Sequence, residues 1–75
     1  MMIEEVNMKI GDLVVALDVS FEGDKALSVG TPGLVRRVEQ GDTYYSPQVL
    51  VFWVRYGYQT WEHPDAVKVV SSIKK

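Results

Sequence analysis

One segment restricts the possible folds of this chain more than any other: residues 49–56, which read Val-Leu-Val-Phe-Trp-Val-Arg-Tyr. Side chains of a strand alternate between two faces, and β-branched and aromatic residues favour strands. Here both alternate sets are apolar from Val49 to Val54. The run therefore predicts a strand that is central in a sheet or that has an outward face meeting a partner.

Other runs of strand-forming residues are short and are separated by Gly, Pro, Asp and Ser, which is typical of strands and turns. They predict four further strands, at residues 13–19, 32–39, 59–62 and 67–70. In the strand at 32–39 the alternation breaks between Val35 and Val38, so we expect a bulge at Arg36 and Arg37. Gly33 at its start permits a close backbone approach or a bend.

The connections are predicted from the remaining segments. Residues 20–31 lack sustained periodicity and contain two of the glycines, so we interpret them as a long loop. Residues 40–47 form a second loop, and Tyr56-Gly57-Tyr58 a tight turn. Residues 63–66 predict a single 3₁₀ turn, because Pro64 has no amide N–H to lose there.

Composition and charge exclude several classes of function. The absence of cysteine rules out disulfides, thiolate metal sites and a thiol nucleophile. The net charge of -2 argues against a protein that depends on phosphate contacts. The acidic start Met1-Met2-Ile3-Glu4-Glu5 is unlike a secretory signal, and no apolar run is long enough to span a membrane. We therefore expect a cytoplasmic protein that does not associate with membranes and has no cofactor.

Candidates for chemistry are few. His63 is the single histidine, and we interpret it as a half-buried residue whose ring bonds to the chain at the 3₁₀ turn. The acids Glu22, Asp24 and Asp42 could meet if the two long loops lie side by side, but solvated loop acids are the preferred interpretation. No catalytic and no metal-binding residues are therefore predicted.

An aromatic set is the most informative feature, and its members flank the second loop and the tight turn: Tyr44, Tyr45, Tyr56, Tyr58 and Trp61. Such side chains can form a ligand groove, in which rings hold a cation or grip a polyproline segment. Alternatively Trp53 or Trp61 belongs to the core and the tyrosines cover its rim. Both interpretations stay open at the level of sequence.

Three arginines supply the basic residues of interest: Arg36, Arg37 and Arg55. If the second and third strands pair, Arg55 could lie near one of the other two and form a positive patch at the edge of the aromatic set. Such a patch could neutralise single-stranded nucleic acid whose bases stack on the tyrosines. The alternative is that the arginines face solvent and pair with Glu39 and Glu62. Nucleic-acid binding is the less favoured function.

The order of elements resembles the Src-homology-3-like (SH3-like) fold shared by Tudor and KOW modules. The resemblance runs from Gly11-Asp12 through Gly33-x-Val35 and residues 49–54 to Trp61-x-His63-Pro64-Asp65-x-Val67-x-Val69. It implies an all-β, five-stranded SH3-like barrel with a one-turn 3₁₀ element before the last strand. Residues 1–8 are then an N-terminal extension, flexible or laid against the domain surface, 9–70 the barrel and 71–75 a flexible tail.

A weaker resemblance points to ferredoxin-docking barrels such as the variable subunit of ferredoxin–thioredoxin reductase. It lies in Lys9-Ile10-Gly11-Asp12, Gly33-x-Val35-x-x-Val38 and His63-Pro64-Asp65-x-Val67-x-Val69. This resemblance implies an accessory subunit of a photosynthetic redox complex that docks an electron carrier.

The predicted function is a non-catalytic protein-interaction or assembly module that binds a protein partner or itself through an aromatic and apolar face. A barrel of this length has room to bury only one face of the strand at 49–54, so another molecule should cover the other. The alternatives are the redox subunit and a weak single-stranded nucleic-acid binder.

Overall fold

The computed structural model describes residues 6–17, 20–22 and 25–71, with residues 20–22 and 25–27 described by their backbone. Seven strands follow one another along this part of the chain: β1 (Leu13–Ala16), β2 (Ser20–Glu22), β3 (Lys25–Leu27), β4 (Pro32–Glu39), β5 (Gln48–Trp53), β6 (Tyr58–Glu62) and β7 (Val67–Ser71). A 3₁₀ turn, Pro64–Ala66, precedes β7.

Five of the strands form one antiparallel sheet in the order β6-β5-β4-β1-β7. The predicted all-β class, the five-stranded sheet and the 3₁₀ turn before the last strand are confirmed. The predicted barrel is not: the sheet does not close, and β6 and β7 are its two edges. Closure would need a ladder between β6 and β7, but β6 ends at Glu62 and, among the described residues, pairs only with β5. The 3₁₀ turn then directs the chain to β7, which pairs with β1.

The interpretation of residues 20–31 as one long loop is wrong in part. β2 and β3 pair antiparallel as a two-stranded sheet, with Ser20 opposite Leu27 and Glu22 opposite Lys25. Each strand has three residues, which is too short for a visible alternation of apolar and polar side chains. The first predicted strand is also shorter than expected, because β1 ends at Ala16.

The core lies on one face of the five-stranded sheet. Its buried side chains are Val6, Val14, Ala16, Val35, Val49, Val51, Trp53 and Val67. The bulge predicted at Arg36 and Arg37 is confirmed by a shift of register between Val35 and Arg37. The close approach predicted at Gly33 is also confirmed, since a Cβ there would lie 2.8 Å from Cε3 of Trp53 and would collide with Cγ1 of Val51.

The segment before β1 packs against the domain. Val6 is 7% exposed and belongs to the core cluster. Its amide donates to Oε1 of Gln40 at 2.8 Å, and Nε2 of Gln40 donates back to the carbonyl of Val6 at 3.1 Å. The predicted ends of the domain fall partly on residues 1–5 and 72–75, which lie outside the described residues.

Candidate partner-binding face

The five-stranded sheet has a second face, opposite the core, which we call the outer face. Val49, Val51 and Trp53 point into the core, so the alternating residues Leu50 and Phe52 point the other way. Leu50 is 9% exposed, yet it lies outside the core cluster. The outer face is therefore apolar at the centre of the sheet.

Cross-strand pairing aligns the side chains of the outer face in rows. One row runs Leu13, Leu34, Phe52 and Gln59 across β1, β4, β5 and β6. The next row runs Arg37, Leu50 and Trp61 across β4, β5 and β6. Directly opposite residues have Cβ atoms about 4.5–5.5 Å apart, so each row is a continuous strip of side chains. The rows place Leu34, Phe52 and Leu50 at the centre of the outer face. The polar side chains of Gln59 and Arg37 and the ring of Trp61, which is 46% exposed, lie at the ends of the rows.

Two clefts adjoin each other along the outer face. The acidic cleft, about 410 Å³, is lined by Glu39, Gln40, Asp42, Tyr45, Ser46, Gln48 and Trp61. The basic cleft, about 360 Å³, is lined by Ile10, Arg36, Arg37, Leu50 and Gln59. Leu50 and Trp61 are opposite each other in the ladder and each lines one cleft, so the clefts meet at this pair.

The loop between β4 and β5 holds the aromatic wall of the acidic cleft. Oδ1 of Asp42 accepts hydrogen bonds from the amides of Tyr44 and Tyr45, both at 2.8 Å. The amide of Asp42 in turn donates to the carbonyl of Tyr45 at 2.9 Å. Gly41 lies so close to Pro47 that a Cβ would be 2.6 Å from its Cδ. The loop is thus closed on itself, and the Tyr45 side chain is held 74% exposed at the cleft.

Charge divides the outer face. The charged residues that line the acidic cleft are Glu39 and Asp42, and those that line the basic cleft are Arg36 and Arg37. Within the part of the chain that the structure describes, none of these four forms an ion pair, and the ion pair found there joins His63 to Asp65. The interpretation that the arginines pair with Glu39 and Glu62 is therefore wrong for the described residues. The opposite charges lie side by side on one face without neutralising each other.

The predicted aromatic set is divided between two places. Tyr45 and Trp61 share the acidic cleft, and Tyr44, 87% exposed, lies beside them in the loop. Tyr56 and Tyr58 lie at the other end of the β5–β6 hairpin, with ring centroids 5.9 Å apart at a tilted angle of 56°. Tyr58 packs against the core, where it faces Trp53 in the ladder. The tryptophan of the core is Trp53, and Trp61 is on the surface.

The predicted arginine patch is likewise divided. Arg36 and Arg37 share the basic cleft because the bulge after Val35 breaks the alternation that would otherwise place neighbouring side chains on opposite faces. β4 and β5 do pair, as the patch required, but Arg37 lies in register with Leu50. Arg55 lies in the exposed turn after β5, beyond Trp53, and Trp53 itself lies about 10 Å along the strand from Leu50, so Arg55 is apart from Arg37.

Sequence reasoning did not assign Glu39, Asp42, Leu50, Gln59 and Ile10 to the site. The sequence did indicate a structural role for Asp42. An Asp in a loop typically accepts hydrogen bonds from the backbone amides two or three residues further on, here those of Tyr44 and Tyr45. The other four are brought to the clefts by strand register, which is not local information.

The predicted structural role of His63 is confirmed. Its Nδ1 accepts a hydrogen bond from the amide of Asp65 at 3.1 Å and so caps the 3₁₀ turn. Among the described residues, no group of three or more His, Asp or Glu side chains is placed to hold a metal ion. The same residues contain no helix long and apolar enough to cross a membrane.

No protein-family model, no curated protein and no solved structure matches this chain. The resemblance to SH3-like modules therefore stays a prediction. Functional inference starts from the geometry of the outer face.

Proposed function

We propose that this chain is a non-catalytic protein-interaction module, SH3-like in its arrangement of elements, that binds a protein through the outer face of its sheet. The observation that carries the proposal is the ring of Trp61, which is exposed on that face beside the nearly buried Leu50. Burial of apolar surface contributes about 25 cal/mol per Å², so covering this ring stabilises a complex.

The residue types on the outer face are those that anchor protein interfaces. Trp, Tyr and Arg are enriched among the residues that contribute most of the binding energy. Trp61, Tyr45 and Arg37 are exposed here, around the nearly buried Leu50. An apolar centre with charged groups at its border is also the usual anatomy of an interface.

The charges of the clefts favour a protein over a nucleic acid. Base stacking on Tyr45 and Trp61 would bring phosphates toward Glu39 and Asp42, which repel them. A protein can present both acidic and basic side chains, and so can satisfy both clefts at once.

Both clefts are open to solvent, which argues against catalysis. General acid–base chemistry depends on a group held against the substrate in a site that excludes water. Glu39 and Asp42 are exposed, and one oxygen of Asp42 is already occupied by two backbone amides. These carboxylates suit recognition better than proton transfer.

Site-specific photocrosslinking tests the proposal. A photoreactive p-benzoylphenylalanine replaces Gln59, which is exposed on β6 and lines the basic cleft. A matched control carries the same group at Asp65, which is exposed on the 3₁₀ turn. After irradiation in cells that express the chain naturally, we expect a discrete crosslinked product, to another protein or to the same chain, from the Gln59 position alone. Equal products from both positions, or none from Gln59, would show that the outer face binds no protein.

A further inference from the structure

The outer face is self-complementary in charge. Arg37 and Glu39 are separated by one residue on β4 and point to the same side of the sheet, because their ladder partners Leu50 and Gln48 do so. Each borders a different cleft, and in the described part of the chain neither has an ion-pair partner. A surface that carries unpaired charges of both signs side by side can pair with a rotated copy of itself.

We propose that the protein bound by the outer face is a second copy of this chain, packed outer face to outer face about a two-fold axis. This inference rests on the proposed function and names its partner. A two-fold interface is isologous, so a contact of one residue with another is repeated with the roles exchanged. Rotation about an axis between the two clefts places the acidic cleft of each copy on the basic cleft of the other. Glu39 and Asp42 of one copy then face Arg36 and Arg37 of its partner.

The apolar centre fits the same arrangement. The clefts meet at Leu50 and Trp61, so the axis passes close to this pair. Residues near a two-fold axis meet their own copies, so Trp61 of each copy packs beside Trp61 and Leu50 of the other. Apolar burial supplies the free energy of association, and the charges fix the orientation of the two sheets.

Charge complementarity also argues against a foreign partner of a single sign. A basic peptide would satisfy Glu39 and Asp42 but would be repelled by Arg36 and Arg37 on the same face. An acidic peptide would be attracted by the two arginines and repelled by the two carboxylates. A second copy presents both signs at the spacing that the first copy requires.

Sedimentation velocity of the full chain with exchanged charges tests the inference. The variants are Arg37→Glu and Glu39→Arg, both at exposed positions of β4. One copy has a mass of 8.5 kDa, and we expect the wild-type chain to sediment with twice that mass. Each variant alone should dimerise at least about tenfold more weakly, because two like-charge contacts replace two attractive ones.

The equimolar mixture of the two variants is the decisive sample. In the mixed dimer every exchanged contact is again between opposite charges, so we expect it to recover an affinity close to that of the wild type. The double variant, with both exchanges in one chain, should recover as well. The Nε1–H NMR signal of the buried Trp53, which is bonded to Thr60, should keep its wild-type position in both single variants and serves as the control that they are folded.

The outcomes separate this inference from the proposed function. A wild-type chain that stays monomeric at high concentration, or a mixture that does not recover dimers, overturns the second copy as partner. If the Gln59 crosslinker then captures a different protein, the interaction module stands and its partner is foreign. If it captures nothing, both proposals fail.

Discussion

The indole Nε1 of Trp53 donates a 2.8 Å hydrogen bond to Oγ1 of Thr60, and both side chains are buried between β5 and β6. The hydroxyl of Thr60 donates onward to Oε2 of Glu62 at 2.6 Å. Thr60 and Glu62 are thereby held on the core side of β6. Because side chains of a strand alternate, Trp61 between them must lie on the outer face. A buried polar chain thus determines where the exposed aromatic ring lies.

Replacing the hydroxyl of Thr60 tests this chain of hydrogen bonds. Thr60→Val keeps the shape of the side chain but leaves the buried indole N–H without an acceptor, so we expect a loss of about 1–3 kcal/mol in the free energy of unfolding. Thr60→Ser, which keeps the hydroxyl, should lose less. Urea unfolding measures both. Equal losses for the two variants would mean that packing, and not the hydrogen bond, is what Thr60 contributes.

Gly33 is expected to tolerate no side chain. In Gly33→Ala the added methyl meets Val51 and Trp53 on β5, so we expect overpacking to cost about 1–3 kcal/mol. Adding Val51→Ala removes one of the two side chains that the new methyl group would contact. The double variant should then be less destabilised than the sum of the two single losses, a coupling that thermal or urea unfolding can measure. If the losses in free energy of unfolding of the two single variants simply add up in the double variant, the close approach of residue 33 to Val51 is contradicted.

Gln40 is expected to hold Val6 against the domain. Gln40→Ala removes both hydrogen bonds to the backbone of Val6, each of which contributes about 0.5–1.5 kcal/mol. We expect faster hydrogen exchange at the amide of Val6, with little change in the exchange of β5. The matched control is Gln48→Ala, since Gln48 lines the same cleft and forms no side-chain hydrogen bond within the described residues. If both variants accelerate exchange at Val6 equally, the two hydrogen bonds do not hold the segment.

Asp42 has separable roles in loop structure and in binding. Asp42→Asn keeps an oxygen that accepts from Tyr44 and Tyr45, whereas Asp42→Ala removes it. The amide NMR signals of both tyrosines should therefore move much more in the alanine variant. The asparagine variant should keep the loop but weaken dimerisation, because it removes one charge from the acidic cleft. Loss of the loop signals in both variants would show that the charge, and not the acceptor, organises the loop.

Local features of the fold were predictable from the sequence, and features that depend on distant segments were not. The two-sided apolar run of β5, the bulge after Val35, the close approach at Gly33 and the capping role of His63 each follow from a few neighbouring residues. The open sheet was missed because closure depends on how two edge strands, β6 and β7, lie relative to each other. The hairpin of β2 and β3 was missed because strands of three residues leave no periodic signal.

The candidate site was predicted in residue types but not in grouping. Tyr45 and Trp61 come together through the β4–β5 loop and the pairing of β6 with β5. The same pairing carries Tyr56 and Tyr58 to the other end of the hairpin and leaves Arg55 apart from Arg37. Composition identifies side chains that can bind, whereas register decides which of them share a face.

The most direct measurement compares the two indole N–H signals of the ¹⁵N-labelled chain over a dilution series. Trp61 lies at the proposed contact, and Trp53 is fully buried and bonded to Thr60. We expect the Trp61 signal to shift with protein concentration toward a plateau, while the Trp53 signal stays fixed. A Trp61 signal that does not change from the most dilute to the most concentrated sample would contradict the pairing of two outer faces.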